Sequence, residues 1–320
     1  KKAVDLRLEL LGEKNKDYII SLHNLAVCYA GLCKYEDALN TELKVCNLID
    51  VSGLHNDTIN ALASRLLGNH YYNMGNIEEA IKVGKEACKI NKLIFGDKHF
   101  EYANSLNLLG NYYATKGLLT EAIKIENEAL SIHSINKYDF GIATSHMHIG
   151  TIYSNQEQYS LAIKHLEKSA NIYESYLDKG YYYMNIASLI NCYNGIGNYS
   201  RAIIIGESIL DDIKKLNGEN NPVYSTIINN LAISYFWTGN SDKFIQYSNK
   251  VLELHEKMFG EKHFMYALSL MNTAFMYGTH INVKTALEMN QKAIDIFRSN
   301  GMTENANYNL AIGNQVMFNI

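Results

Sequence analysis

The sequence lacks any long apolar run, any basic excess and any closely spaced pair of cysteines. Its apolar runs, such as AIIIG at 202–206, are far shorter than the roughly 20 residues that a helix needs to cross a bilayer. With 29 basic and 33 acidic residues, the formal net charge is -4. This balance argues against nucleic acid as a partner and against a polybasic membrane anchor. What is left is the composition of an ordinary soluble protein.

The cysteines form no CxxC pair. Their odd number in a long chain indicates buried free thiols in a reducing compartment, so we expect a cytoplasmic protein without disulfides. The chain begins with Lys1 rather than Met, which leaves room for an upstream targeting signal. The five residues are Cys28, Cys33, Cys46, Cys88 and Cys192.

Motifs of enzyme and metal sites are also missing. The sequence has no GxxxxGK[ST], HExxH or GxSxG, and the glycines of YNGIGNYSRA lie in a turn between two predicted helices without a preceding strand. His146 and His148 are two positions apart, which points them to different sides of a helix and makes them poor co-ligands. We therefore expect no enzyme activity, no cofactor and no metal.

What the chain does contain is a repeat. The stretch FGDKHFEYANSL at 95–106 returns as FGEKHFMYALSL at 259–270, and seven segments align with spacings of 40 or 42 residues. All seven segments have a Tyr, six of them have a small residue three positions before it, and six have an Ala nine positions after it. The small residues are Ala26, Gly68, Gly110, Gly150, Ala232 and Ala274, and the Ala residues are Ala38, Ala80, Ala122, Ala162, Ala202 and Ala286.

Apolar residues at helical spacing predict two amphipathic helices in each segment. Gly75, Gly117, Gly197 and Gly239 are placed to end the first helix in a left-handed conformation. Two segments depart from the pattern, because Ile190 and Phe244 occupy positions that are small elsewhere. We expect a locally different packing angle between the helices there.

The pattern resembles the tetratricopeptide repeat, in its 42-residue form found in kinesin light chains and bacterial regulators. The resemblance rests on the small/Tyr/Ala pattern, on SLHNLAVCY and INNLAISY, and on LGEK, FGDKH and FGEKH at the joints. It implies an all-α fold, a right-handed α-solenoid of about seven helix-turn-helix units. Where the family has His-Pro, this chain has His99-Phe100 and His263-Phe264, so we expect looser joints.

The predicted organisation is a single solenoid over 1–320, with partial units at both ends. Residues 1–16 match the second helix of a truncated unit, and 301–320 match the start of a further one. Neither end has the polar cap that a solenoid normally needs, so we expect an excised piece of a longer array. The full units are 17–57, 58–100, 101–140, 141–180, 181–222, 223–264 and 265–300.

In the family that the sequence resembles, the first helices line a concave groove. The positions expected to face it are rich in Asn, whose amide can pair with both the N–H and the C=O groups of an extended peptide. This sequence matches the family's motif with its groove Asn residues at Asn24, Asn229, Asn230 and Asn272. The other predicted groove residues are Arg65, Asn69, Tyr72, Asn73, Asn104, Asn107, Asn111, Asn155, Asn191, Asn194, Phe236 and Trp237.

These observations predict a non-enzymatic scaffold that binds a protein or an extended peptide in an Asn-lined groove. Arg65 alone cannot form a basic clamp for a terminal carboxylate, so a neutral or apolar partner is favoured. Two alternatives are a ligand-sensing regulatory domain of a larger signalling or effector protein and an array that self-assembles through its uncapped ends. An Asn-rich solvated face without a binding role accounts equally well for the amide row.

Overall fold

The computed structural model describes residues 2–32, 34–177 and 179–319, which form an all-α repeat solenoid. Within those ranges there are sixteen helices and no strand. The helices are α1 (Lys2–Leu11), α2 (Lys16–Gly31), α3 (Tyr35–Val51), α4 (Thr58–Asn73), α5 (Ile77–Phe95), α6 (Phe100–Thr115), α7 (Leu119–Ile135), α8 (Asp139–Asn155), α9 (Tyr159–Tyr173), α10 (Gly180–Gly195), α11 (Tyr199–Asn217), α12 (Pro222–Trp237), α13 (Ser241–Phe259), α14 (Phe264–His280), α15 (Val283–Ser299) and α16 (Ala306–Phe318).

The even-numbered helices are called first helices and the odd-numbered ones second helices. Seven pairs, from α2 with α3 to α14 with α15, stand between the single helices α1 and α16. This confirms the predicted all-α class with about seven helix-turn-helix units and a partial unit at each end.

The chain divides into two compact units. Unit 1 comprises Lys1–Gln156 with Glu167–Ser175, and unit 2 comprises Glu157–Leu166 with Tyr176–Ile320. Within each unit, first helices pack against their own second helix and against the preceding one, as α6 does with α7 and α5. The single domain over 1–320 stays a prediction.

The recurring Ala is fully buried along the array. The six predicted Ala side chains, and Phe244 in the remaining repeat, have no exposed surface. A side chain of one methyl group lets the two helix backbones come close, which is why the position stays small along the array.

The two departures from this pattern are accommodated by their neighbours. Ile190 is fully buried against α11, where a Cβ added to Gly206 would lie 3.2 Å from Ile190 Cδ1 and 2.7 Å from Leu231 Cδ2. Phe244 packs edge-on against Phe236, with ring centroids 5.4 Å apart. A glycine on the opposite helix therefore leaves room for Ile190 in one repeat, and in the other repeat Phe244 packs within an aromatic cluster. The packing angle stays a prediction.

The predicted helix ends are confirmed at the turn glycines. Gly75, Gly117, Gly197 and Gly239 have φ values of 76°, 84°, 74° and 77°. The repeat formed by α8 and α9 has Glu157 at this position, with φ of 58°. A residue with a Cβ is thus held in the left-handed region that glycine occupies in those four turns.

The joint at 95–100 is capped by the His99 imidazole and has Phe100 where the related family has a proline. Gly96 ends α5 with φ of 89°, and His99 is the N-cap of α6, with its Nδ1 accepting the Glu101 N–H at 3.2 Å. The His99 ring stacks between Phe95 and Phe100, at centroid distances of 4.9 and 4.5 Å. The Phe that replaces Pro therefore contributes to the joint through this stack, and the expected loosening stays a prediction.

The second copy of this stretch, FGEKHFMYALSL at 259–270, has the same arrangement. His263 caps α14 through Nδ1, which accepts the Met265 N–H at 3.2 Å. Its ring lies 5.0 Å from Phe259 and 4.7 Å from Phe264. Both copies of the stretch therefore combine a histidine N-cap with a stack of the same ring on two Phe side chains.

The cysteines differ in exposure. Cys88 and Cys192 are buried thiols outside any disulfide, as predicted, and Cys46 is half-buried. Burial raises the pKa of Cys46 and of Cys88 to about 12. Cys28 is exposed, which contradicts the prediction for that residue, because it is two positions from the buried Ala26 and therefore on another side of α2. Cys33 lies outside the described residues.

Candidate binding face of the first helices

The predicted site residues of unit 1 lie on α2, α4, α6 and α8 and differ widely in exposure. Asn24, Asn73 and Asn155 are exposed. A second group is half-buried, and Asn107 is buried. The half-buried group consists of Arg65, Asn69, Tyr72, Asn104 and Asn111.

Arg65 and Asn104 meet at Glu101, at the start of α6. The Arg65 guanidinium donates to the Glu101 carboxylate, and Asn104 Nδ2 donates to the same Oε2 at 3.2 Å. The Arg65 and Glu101 side chains are each 22% exposed. The single basic residue predicted for this face is therefore neutralised by a carboxylate. Sequence reasoning missed Glu101 because an acid in the first turn of a helix is expected there anyway.

Asn69 and Tyr72 meet at Tyr112, a second residue that sequence reasoning missed. The buried Tyr112 hydroxyl donates to Asn69 Oδ1 at 2.7 Å, and burial raises the pKa of Tyr112. The Tyr72 ring stacks on Tyr112 with a centroid distance of 5.2 Å, and its hydroxyl lies 3.2 Å from Thr115 Oγ1. These contacts join α4 to α6 beneath the face and hold both side chains in place.

Asn107 belongs to a buried polar network and is only 4% exposed. Its Nδ2 donates to Glu126 Oε2 at 2.5 Å and to Ser145 Oγ at 2.8 Å, while Oδ1 lies 2.9 Å from His133 Nε2. The prediction that Asn107 faces a groove is contradicted by this burial. The physical reason is the Glu126 carboxylate, which has no exposed surface and needs donors from α6.

His148 supplies the second partner of Glu126, with Nδ1 at 2.8 Å from Oε1. Burial raises the pKa of Glu126. Burial opposes a charge on His148 as well, but the Glu126 carboxylate beside it raises the pKa of His148. His133 has no such partner, and burial lowers its pKa to about 4. The network joins α6, α7 and α8 to one another, and its carboxylate and Asn107 amide are buried.

In unit 2, Asn194 and Asn230 form a seam between α10 and α12. Asn194 Nδ2 donates to the Asn230 backbone oxygen at 2.9 Å, and Asn194 Oδ1 accepts from Ser234 Oγ at 2.6 Å. Asn230 is 7% exposed and donates to the Ala187 backbone oxygen at 3.2 Å. The prediction of Asn230 as an exposed groove residue is contradicted, because its amide joins the two helices instead.

The remaining predicted residues of unit 2 are accessible. Asn191 and Asn272 are exposed, and Asn229 is half-buried. Trp237 is 55% exposed and stacks on Tyr199 at a centroid distance of 6.1 Å and an interplanar angle of 12°. Phe236 is half-buried and meets the Trp237 ring edge-on at 5.2 Å. An exposed indole is thus supported by two other rings.

Neither a metal cluster nor a membrane helix is found within the ranges that the structure describes. No group of three or more His, Cys, Asp or Glu side chains is placed to hold a metal ion there. In the same ranges, no helix is both long enough and apolar enough to cross a bilayer.

Comparisons with known proteins identify the repeat. Profiles described as tetratricopeptide repeat match residues 58–134, 143–176 and 223–299. No curated protein sequence matches the chain. Among solved structures, the apo form of RapI is 17% identical with a TM-score of 0.65, over 88% of this chain and 77% of that one.

Two further solved structures are similar in fold. A signal transduction ATPase with numerous domains and a tetratricopeptide repeat sensor, from Pyrococcus horikoshii, is 16% identical with a TM-score of 0.64. The similarity covers 95% of this chain and 48% of that chain. TPR-like repeats assigned to a kinesin light chain of Podosopora anserina are 17% identical with a TM-score of 0.53, over 63% and 97% of the two chains. The repeat pattern, the helix pairs and these matches show that the chain belongs to the tetratricopeptide repeat family.

Proposed function

We propose that the chain is a non-enzymatic, cytoplasmic scaffold that holds a partner protein or an extended peptide against its first helices. Tetratricopeptide repeats generally mediate protein–protein interaction. The proposal goes further by assigning the contact to one face and to a polar type of recognition.

The observation that carries the proposal is the row of accessible amides on the first helices of unit 1. Asn24, Asn73 and Asn155 are exposed, and Asn69, Asn104 and Asn111 are half-buried. Each amide offers a donor and an acceptor, which suits the alternating N–H and C=O groups of an extended chain. Asn107 and Asn230 are left out of the proposed site because they are buried.

The charge at this face favours a neutral or apolar partner segment. Arg65 is already paired with Glu101, so a terminal carboxylate arriving there would have to compete with an internal carboxylate. The protein therefore offers acidic peptides no open basic clamp at Arg65 that would offset the cost of removing water from their carboxylates. Within unit 2, a separate proposed contact surface consists of Asn191, Asn229 and Asn272 with Phe236 and Trp237.

The test is peptide binding by Asn73→Ala with Asn111→Ala, measured on an array of short peptides with blocked ends. We expect about tenfold weaker binding, because two amides that pair with the peptide backbone are lost. The matched control is Asn127→Ala, an exposed amide on the second helix α7. Equal binding by the double variant and the wild type would show that these amides do not bind the peptide.

A second candidate function is a ligand-sensing domain of a larger protein. It is favoured by the similarity to the ATPase whose tetratricopeptide repeats are described as a sensor. A sensor changes conformation on binding, so hydrogen exchange should change well beyond the contacted helices when a peptide binds. Changes confined to the contacted residues would reject this candidate.

A self-assembling array is the third candidate, and it predicts association that depends on concentration. Sedimentation velocity over a wide concentration range measures it directly. A constant monomer would reject it.

A further inference from the structure

The first helices of unit 2 carry no formal charge. None of the residues of α10, α12, α14 and α16 is Asp, Glu, Lys or Arg, although these types make up 19% of the chain. The second helices of the same unit are strongly charged, and α11 alone contains Arg201, Glu207, Asp211, Asp212 and Lys214. Charge is therefore partitioned between the two sets of helices.

Burial does not explain this partition, because these helices have accessible side chains. Tyr181 and Met184 on α10 are 41% and 48% exposed, and Trp237 on α12 is 55% exposed. Phe275 on α14 is 40% exposed, and Leu310 on α16 is 55% exposed. A helix at a protein surface normally places charged residues on its solvent side. The exposed side chains of these four helices are called the uncharged face.

The polar groups beneath the uncharged face are already satisfied in part by the protein itself. Asn194, Asn230 and Ser234 bond to one another along the α10–α12 seam. Apolar groups such as Ile233 and Leu268 lie half-buried beside the exposed ones. The face therefore offers apolar area with neutral polar groups between, a composition typical of recognition surfaces.

The first helices of unit 1 differ in this respect. Lys16, Asp17, Arg65, Glu101 and Asp139 place charges on α2, α4, α6 and α8. The absence of charge is thus a property of one group of helices and not of first helices in general.

We infer that the uncharged face of unit 2 binds an uncharged segment of a partner protein, rich in aliphatic or aromatic side chains. This inference rests on the proposed function and specifies the partner chemistry at part of that surface. A charged residue in the segment would lose its water without gaining a counter-charge, which disfavours binding. An apolar residue in the same place gains burial against Met184, Phe275 or Trp237.

Trp237 supplies the readout because it is the only Trp in the chain. Short peptides of Leu, Phe, Met, Asn and Ser, acetylated and amidated to remove terminal charges, are titrated against the protein. We expect the Trp237 emission to shift to shorter wavelength as the peptide excludes water from the indole. The same peptides with Glu or Lys at regular positions should bind at least about tenfold more weakly.

The matched pair of variants is Met184→Lys and Ile204→Lys. Both replace an exposed apolar residue, 48% and 61% exposed, but the first lies on the uncharged face and the second on the second helix α11. Met184→Lys should weaken binding of the uncharged peptides about tenfold, and Ile204→Lys should leave it unchanged. Phe275→Lys repeats the test on α14, with far-UV circular dichroism confirming that each variant is folded.

The possible results separate the inference from the proposed function. Equal binding of charged and uncharged peptides, or no effect of Met184→Lys and Phe275→Lys, overturns the inference. The proposed function then still stands if the Asn73 and Asn111 double variant weakens binding. Self-association or binding of neutral lipid vesicles that excludes the peptides also overturns it, since the face would then serve another occupant.

Discussion

The turn between α8 and α9 allows the energetic cost of a left-handed residue to be measured against its own neighbours. Glu157 has φ of 58° at the position where four other first-helix turns have glycine. The left-handed conformation costs a residue with a Cβ roughly 1–2 kcal/mol. Glycine avoids that cost but loses about 0.5–1 kcal/mol more conformational entropy on folding. Glu157→Gly should therefore raise the free energy of unfolding by about 0.5–1 kcal/mol.

The reverse change at an equivalent turn provides the counterpart. A Cβ added to Gly117, at φ of 84°, meets no atom within 4 Å, so only the backbone opposes it. Gly117→Ala should lower the free energy of unfolding by about 1 kcal/mol. Urea unfolding followed by far-UV circular dichroism measures both changes, and Glu157→Ala controls for loss of the carboxylate. A loss of stability in Glu157→Gly, or an equal gain in Glu157→Ala, would refute the backbone argument.

Three further changes test the interior and a joint. Burial lowers the pKa of His70 from 6.5 to about 4, so the unfolded state binds the proton first and stability falls as pH drops between those values. His70→Met should abolish this loss and add about 1–2 kcal/mol at neutral pH in urea unfolding, because both buried ring nitrogens lack a hydrogen-bond partner, and an unchanged or lower stability would refute this. Glu126→Ala should cost about 3–5 kcal/mol in the same assay by leaving His148 unpaired, and a cost below about 1 would contradict the network. His99→Ala should cost about 1 kcal/mol and speed amide exchange at Glu101, whereas unchanged exchange would reject the cap.

The fold was predictable because its signal is repeated. A small residue, a Tyr and an Ala at fixed spacing recur along the chain, and each recurrence confirms the helix pairing of the others. The turn glycines were predictable for the same reason, since the left-handed conformation at Gly75 or Gly239 strongly favours glycine. Glu157 was not, because its residue type carries no turn signal and only the register places it there.

The candidate site was less predictable, because exposure depends on the neighbouring repeat. Asn107 and Asn111 both lie on α6 and were assigned to one face by helical spacing. Asn107 is nevertheless buried, since Glu126 of α7 lies inside the solenoid, where an unpaired carboxylate is rarely found. A sequence pattern built on apolar spacing assigns a charged residue to solvent and so cannot anticipate the amide that satisfies it.

One register position gives each repeat its own interior. The residue four places after the recurring Ala is buried in all seven repeats, yet its chemistry varies more than that of any position in the small/Tyr/Ala pattern. Gly206 there leaves room for Leu231, whereas Glu126 bonds to Asn107 and to His148. A repeat shifted by one unit would bury the carboxylate without its partners or open a cavity beside the glycine, and either costs several kcal/mol in order of magnitude. The varied residues at this position therefore favour the native pairing of helices over a shifted one. The recurring Ala positions set only the spacing between the helices. The residues at this position are Glu42, Gly84, Glu126, Leu166, Gly206, Ser248 and Asn290.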